Sequence, residues 1–247
     1  MEASAVKNLI FFHGTSTPFA RMLLGRAEGM PFPREQSMSL GEELFALCMT
    51  HVTDFFELAE LFTKANSASW CSAPIALQNI ASHNDSGLMA YGHVYLTLDP
   101  ETAIRYACRT PYGSELLMFI QDTIRVLQVA GDQRVEEMIT LFPEVAAALA
   151  APHEPVVLEV SGISVDELST DFGDRNESQL LANMKVMLSF IGKSGVSAPA
   201  AYRAVELRTE NIRAVYPLPR DVCQKAGADM FKRTDISKLR IPTVDWR

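Results

Sequence analysis

The feature that most constrains this fold is a change of hydrophobic period along the chain. Short runs with strand character are separated by much longer segments with helical periodicity. The predicted strands are 9–12, 94–98, 155–160, 202–207 and 212–216. Strands separated by long helical segments indicate a mixed fold, in which helices are inserted between the strands of one sheet. The sequence therefore predicts an α+β fold with long helical insertions.

Two helical segments carry recognisable start signals. Asp99 and Pro100 supply an N-cap and a first helical residue directly after a predicted strand. Ser39 and Glu42 have the spacing of a capping box, which predicts one helix over 40–64. The surface of that helix is unusually apolar, so it suits either a core position or a docking site for a partner.

The domain organisation follows from the placement of the helical segments. We expect a single domain over residues 1–220, with helical insertions near 38–90 and 114–150. Gly131 marks a break within the second insertion. Residues 221–247 have weak periodicity, which predicts a C-terminal tail or a short helix.

Charge and composition narrow the classes of partner. The 22 Lys and Arg residues against 30 Asp and Glu residues give a net charge of −8, and 48% of the chain is hydrophobic. The hydrophobic share is typical of a globular protein. The net negative charge disfavours sequence-independent binding to duplex DNA. The apolar run at 9–12 is too short for a signal-peptide core or a membrane span. We therefore predict a cytoplasmic protein that does not engage a membrane.

The four cysteines give no metal-site pattern. Cys48, Cys71, Cys108 and Cys223 are far apart in sequence and form no C-x-x-C pair. The sequence therefore predicts no zinc site and is typical of a reducing compartment.

Three short segments carry residues suited to chemistry. The first predicted strand ends in His13-Gly14-Thr15. Tyr95 lies in the strand of the segment GHVYLT, and Tyr106 lies in the proline-started helix that follows. Each of these residues alone is more often structural, but their order along the chain forms a pattern.

That order resembles the ADP-ribosyltransferase superfamily of the His-Tyr-Glu type, which includes diphtheria toxin and the poly(ADP-ribose) polymerases. The match covers about 60 residues in separated blocks, by comparison of the motifs above. The resemblance implies a split β-sheet and an NAD-dependent mono-ADP-ribosyltransferase, a toxin-like enzyme of the cell interior. NAD would be its substrate, and a protein, RNA or DNA its acceptor.

The resemblance also implies a role for each residue of the pattern. His13 would hydrogen-bond the adenosine-side ribose of NAD, and Gly14 would let the nicotinamide amide reach the main chain. Tyr95 and Tyr106 would enclose the nicotinamide ring, because offset stacking suits a flat aromatic ligand. Thr15 would contact a ribose or a phosphate.

The catalytic carboxylate is the open element of the pattern. Glu206 lies on a predicted late strand, where the family places a glutamate that supports a cationic transition state. The family pattern has this glutamate earlier in the strand, at the place of Tyr202 or Arg203. Glu159 and Glu210 are the reserve candidates. If none of these carboxylates serves, the protein is an inactive member of the fold.

Two alternative functions remain open. One is a non-enzymatic binding module of the same fold, held in a complex by the apolar helix at 40–64. The other resembles an RNA 2′-phosphotransferase, which requires basic residues around a phosphate; Arg21, Arg26, Arg34 and Arg105 could serve. Toxic members of the superfamily are often held by an antidote protein, so an antidote or regulatory protein is a further expected partner.

Overall fold

The fold is mixed helix and antiparallel sheet, as the sequence predicts. The computed structural model describes residues 2–25, 34–69, 71–83, 94–170, 173–191, 201–204 and 207–228. The helices are α1 (Ala3–Val6), α2 (Thr17–Leu23), α3 (Arg34–Cys48), α4 (Phe55–Lys64), α5 (Ser72–Ala81), α6 (Pro100–Arg109), α7 (Glu115–Val129), α8 (Arg134–Thr140), α9 (Pro143–Ala150), α10 (Glu177–Phe190) and α11 (Arg220–Ala228). The strands are β1 (Phe11–Ser16), β2 (Val94–Thr97), β3 (Pro155–Val160), β4 (Leu168–Thr170), β5 (Ala201–Ala204) and β6 (Ile212–Pro217). This content defines an α+β protein.

The chain divides into two compact units. The sheet unit comprises Met1–Glu28, His93–Gly113 and Pro152–Arg247. The helical unit comprises Gly29–Gly92 and Ser114–Ala151, and both predicted insertions fall within it. The single domain expected over 1–220 stays a prediction.

The six strands form one antiparallel sheet in the order β4-β5-β2-β1-β3-β6. β1 pairs with β3 along its whole length, from Phe11 to Ser16. Between the described residues of β1 and β2, by contrast, pairing is confined to Phe12 and Thr97. The middle of the sheet is therefore weakly joined at the boundary between β1 and β2, directly beside the His-Gly-Thr segment.

Both faces of the sheet are covered, which explains why β3 is apolar almost throughout. Val156, Leu158 and Val160 enter the larger core, which also contains buried side chains of α10. Val157 points to the other face and packs in a smaller core with residues of α6 and α11, among them Ala107. The alternation follows from the two-residue period of a strand.

A disulfide joins two helices of the sheet unit. Cys108 of α6 and Cys223 of α11 are bonded, although 115 residues separate them in sequence. Sequence spacing alone led us to expect reduced cysteines, and the structure differs on this point for this pair. The reason is spatial, because α6 and α11 pack against each other on one face of the sheet. Cys48 and Cys71 are free.

The helical unit has its own apolar interior. Leu44, Leu58 and Phe62 are buried there, so this stretch is mainly core, while Phe56 of α4 is 81% exposed. The single helix expected over 40–64 is wrong, since the structure has two.

The break between α3 and α4 has a local cause. The side chain of Asp54 accepts a hydrogen bond from the backbone N–H of Glu57 and so caps a new helix. Ser39, expected to cap the long helix, lies inside α3, which begins at Arg34. The apolar spacing continues across both helices, and periodicity therefore could not show the break.

Candidate active site on strand β1

His13 lies where β1 and β2 separate. Its Nδ1 is 2.8 Å from the carbonyl oxygen of Tyr95, and this contact spans the gap between the two strands. A carbonyl can only accept, so Nδ1 carries the proton of this hydrogen bond. Burial lowers the pKa of His13 below its ordinary value of 6.5, although the bond to Tyr95 opposes the shift. The imidazole is therefore neutral near pH 7, with Nε2 as a hydrogen-bond acceptor.

Gly14 is required by the packing of α6. A Cβ at this position would meet the carbonyl oxygen of Ala103 and would lie 2.9 Å from the backbone nitrogen of Ala107. The helix therefore lies almost on the backbone of β1, and no side chain fits between them. This contact accounts for the glycine in the motif without a ligand; its expected role beside the nicotinamide stays a prediction.

Thr15 and Ser16 are engaged within the protein. The hydroxyl of Thr15 donates to the carbonyl of Gly113 at 3.3 Å, and Thr15 is 1% exposed. Ser16 Oγ shares a hydrogen bond of 2.8 Å with Nδ1 of His153. The structure thus gives Thr15 a structural contact, and its expected contact with NAD stays a prediction.

The same segment contacts residues of the sheet unit that flank the second helical insertion in sequence. Gly113 directly precedes Ser114, where the chain enters the helical unit, and Pro152 follows its last residue. Thr17 Oγ1 donates to the carbonyl of Pro152 and accepts from the backbone N–H of Glu154. Residues 15–17 therefore connect the end of β1 to Gly113 and to residues 152–154 of the sheet unit.

Tyr95 is fixed on two sides. It is directly opposite Arg203 in the antiparallel pairing of β2 and β5. The guanidinium carbon of Arg203 lies over the Tyr95 ring, 5.8 Å from its centroid, which is cation–π distance. The backbone carbonyl of Tyr95 accepts from His13 as described above. The structure therefore joins two expected site residues through the backbone carbonyl of Tyr95, while alternation places their side chains on opposite faces of the sheet.

Tyr106 is half-buried on α6, the helix that packs on Gly14. The start of this helix is as predicted, with Asp99 as the N-cap and Pro100 in its first turn. The side chain of Asp99 accepts from the backbone N–H of Glu101. Tyr106 is thus carried by an element in close contact with the His-Gly segment, and its role in enclosing a ring stays a prediction.

The reserve carboxylates are not beside His13. Glu159 accepts a hydrogen bond of 2.8 Å from the hydroxyl of Tyr216. It pairs with Phe12 across β1 and β3, and Phe12 pairs with Thr97 of β2, so alternation places Glu159 on the face of Tyr95 and opposite the side chain of His13. Glu210 is exposed and lies 3.8 Å from Arg208. Glu206, the leading candidate, lies outside the described residues.

Tyr202, one of two residues at the family's glutamate place, is a core residue. It is 1% exposed, and its ring meets Phe11 edge to face at 6.2 Å between centroids. Burial raises the pKa of Tyr202 to about 12. Because Tyr202 points into the larger core, the neighbouring Arg203 is the residue of this pair that faces Tyr95.

Sequence reasoning missed two residues of the site's surroundings. The sequence places Arg203 only at the position of the family's glutamate, and no local signal indicates that it faces Tyr95, because that contact depends on the pairing of β2 with β5. His153 gave no signal, because its contact with Ser16 joins residues 137 positions apart.

The described residues include neither a cluster of metal-ligand side chains nor a helix that could span a membrane. Within them, no group of three or more His, Cys, Asp or Glu side chains is placed to hold a metal ion. None of the described helices is long and apolar enough to cross a membrane. Comparisons with protein-family profiles, with curated proteins and with solved structures found no match for this chain.

Proposed function

We propose that this protein is an NAD-dependent mono-ADP-ribosyltransferase acting on a macromolecule. The observation that carries the proposal is the contact between His13 and Tyr95 at the separation of β1 and β2. It leaves a neutral imidazole with an accepting Nε2, which suits a donor such as a ribose hydroxyl. Within the described residues, Nε2 has no hydrogen-bond partner. The order of these residues along the chain, which resembles the His-Tyr-Glu superfamily, gives the ligand class.

The reaction would break the bond between the nicotinamide nitrogen and C1′ of the ribose. The electron pair of that bond leaves with nicotinamide, and C1′ develops oxocarbenium character. A nucleophile of the acceptor then bonds to C1′ and loses its proton. His13 would hold the substrate, and one face of Tyr95 would contact the nicotinamide ring. The resemblance implies a split sheet, and the pairing of β1 with β2 at one position, Phe12 with Thr97, fits that expectation.

We assign the carboxylate that supports the cationic transition state to Glu206. The family pattern supports the assignment, and both reserve carboxylates have other contacts: Glu159 accepts from the hydroxyl of Tyr216, and Glu210 is exposed beside Arg208. The buried side chain of Tyr202 cannot substitute for a carboxylate, since it is packed in the larger core. A net charge of −8 favours a protein acceptor, although one local groove is enough for a single-stranded nucleic acid.

The test is incubation with labelled NAD and a cell lysate that is afterwards separated into protein, RNA and DNA. We expect label in one fraction, reduced about 100-fold or more in His13→Ala and Glu206→Ala. His83→Ala and Glu60→Ala are the matched controls, because their side chains are 79% and 67% exposed, and both should retain full transfer. If the protein is folded but no fraction carries label and no nicotinamide is released, the proposal is contradicted.

A second candidate function is favoured by Arg203. A guanidinium beside Tyr95 could bind a phosphate, as an RNA 2′-phosphotransferase requires. An oligoribonucleotide with a single 2′-phosphate separates the two functions. Loss of that phosphate in the presence of NAD, with no label retained on macromolecules, would favour the phosphotransferase. Retained label with an intact 2′-phosphate would favour ADP-ribosyl transfer.

A further inference from the structure

Arg203 is a charged residue in a buried place. It lies in β5, between Tyr202 and Ala204 of the larger core, and is itself only 6% exposed. Burial of an arginine is costly unless its guanidinium gains specific contacts. Its contacts therefore indicate what the residue does in this sheet.

The contacts of Arg203 form a stack on one face of the sheet. Because strand side chains alternate, Arg203 and Tyr95 share the face opposite Leu96 and Tyr202. The guanidinium carbon lies 5.8 Å from the centroid of the Tyr95 ring. The guanidinium also approaches a glycine, because a Cβ added to Gly173 would lie 3.3 Å from Nη1 of Arg203.

Gly173 lets the backbone come this close to the guanidinium. Its φ of +84° is a left-handed conformation that favours glycine, so the backbone conformation requires this residue. The turn is closed by a hydrogen bond of 2.8 Å from the N–H of Gly173 to the carbonyl of Thr170. Arg203 therefore lies close both to Gly173 and to the Tyr95 ring.

We propose that Arg203 is a positioning residue that holds the Tyr95 ring ready for a flat aromatic ligand. This inference rests on the proposed function, in which that ligand is the nicotinamide ring of NAD. Arg203 covers one face of Tyr95, so the ligand ring stacks on the opposite face only. Arg203 then acts through Tyr95 without touching the substrate.

The kinetic test separates positioning from general structural support. A residue that orders a ring for stacking contributes equally to the ground state and the transition state. We therefore expect Arg203→Met to raise KM for NAD about tenfold and to change kcat less than twofold. Arg203→Lys retains a cation beside the ring, so its KM for NAD should lie between those of wild type and Arg203→Met. Arg213→Met, a change at an exposed arginine of β6, is the matched control and should alter neither constant.

A double-mutant cycle asks whether Arg203 acts through Tyr95. If it does, adding Arg203→Met to Tyr95→Leu raises KM no further than Tyr95→Leu alone. Two KM increases that multiply would overturn the proposal. A lowered kcat with an unchanged KM in Arg203→Met would overturn it as well, because that result reports a smaller fraction of active protein.

A spectroscopic measurement on the unliganded protein keeps this test independent of the NAD reaction. The chain has six tyrosines, so incorporation of 3-fluorotyrosine gives a small set of ¹⁹F signals, with that of Tyr95 identified by its loss in Tyr95→Phe. We expect Arg203→Met and Arg203→Lys to shift the Tyr95 signal, and Arg213→Met to leave it unchanged. An unmoved Tyr95 signal in folded Arg203→Lys would overturn the positioning role. If the wild-type protein releases no nicotinamide, the proposed function fails, and this signal alone decides the role of Arg203.

Discussion

At the scale of single residues, His13 couples the candidate site to the stability of the fold. Its lowered pKa means that the folded protein resists protonation, whereas the unfolded chain takes up a proton near pH 6.5. The unfolded state therefore binds more protons as the pH falls below about 6.5, and the free energy of unfolding decreases there. Above pH 6.5 the contribution of His13 is constant. The slope from this one group is at most about 1.4 kcal/mol per pH unit.

The comparison that isolates this effect is wild type against His13→Asn. The amide N–H of asparagine can still donate to the carbonyl of Tyr95, but it does not titrate. Urea unfolding between pH 5 and 8 should show wild type losing stability relative to His13→Asn as the pH falls below 6.5. His83→Asn, at an exposed histidine, should follow wild type. Parallel curves for wild type and His13→Asn would contradict a buried, neutral His13.

At the scale of secondary-structure elements, local sequence signals are sufficient to predict a helix with a clear capping residue or a strand with a clear hydrophobic pattern. α6 was predicted with its N-cap at Asp99 because a capping side chain and a proline at the first turn are local features. β3 was predicted over its full range because both of its faces are buried, which produces a continuous apolar run.

The elements that were missed lack such local signals. β4 has three residues, too few to show a period, and it exists because Ser169 and its neighbours pair with β5. The same distinction between local and long-range signals applies to the candidate site. The His-Gly-Thr segment and the two tyrosines could be predicted from their order, but the contact of Arg203 with Tyr95 is set by the pairing of distant strands. Contacts of that kind depend on topology, which local periodicity does not specify.

The contact between α6 and Gly14 yields a prediction at this scale. Gly14→Ala places a methyl group against the backbone of α6, at Ala103 and Ala107, and backbone cannot give way as a side chain can. We expect a loss of about 1–3 kcal/mol in the free energy of unfolding, as for other overpacked sites. Amide hydrogen exchange in 100–109 should become faster, because the helix must move away from β1.

Gly41→Ala is the matched control for Gly14→Ala. A Cβ at Gly41 would lie 3.2 Å from Cδ1 of Ile80, the flexible end of a side chain. Gly41 is inside α3, where alanine is favoured over glycine by about 1 kcal/mol, and this gain offsets the tighter contact. We therefore expect little change in stability. A Gly14→Ala protein as stable as Gly41→Ala, with unchanged exchange in 100–109, would show that α6 is not held on β1 as described.

At the scale of the whole chain, the disulfide between Cys108 and Cys223 is the longest-range covalent constraint. It fastens α11, near the end of the described residues, to the helix that carries Tyr106. A cross-link that spans 115 residues limits the unfolded chain more than a short loop does. Chain-entropy arguments and typical measurements give a stabilisation of about 2–4 kcal/mol for such a bond.

We therefore expect a reducing agent such as dithiothreitol to lower the urea midpoint of the wild-type protein, and Cys223→Ser to lower it by the same amount. The agent should have no further effect on Cys223→Ser, because the bond is already absent. Cys71→Ser removes an exposed free thiol and is the matched control; its midpoint should equal that of wild type and should still respond to reduction. If reduction shifts wild type and Cys223→Ser equally, the effect does not come from this bond. Equal midpoints for wild type with and without the agent would mean that the constraint adds nothing to the stability of the sheet unit.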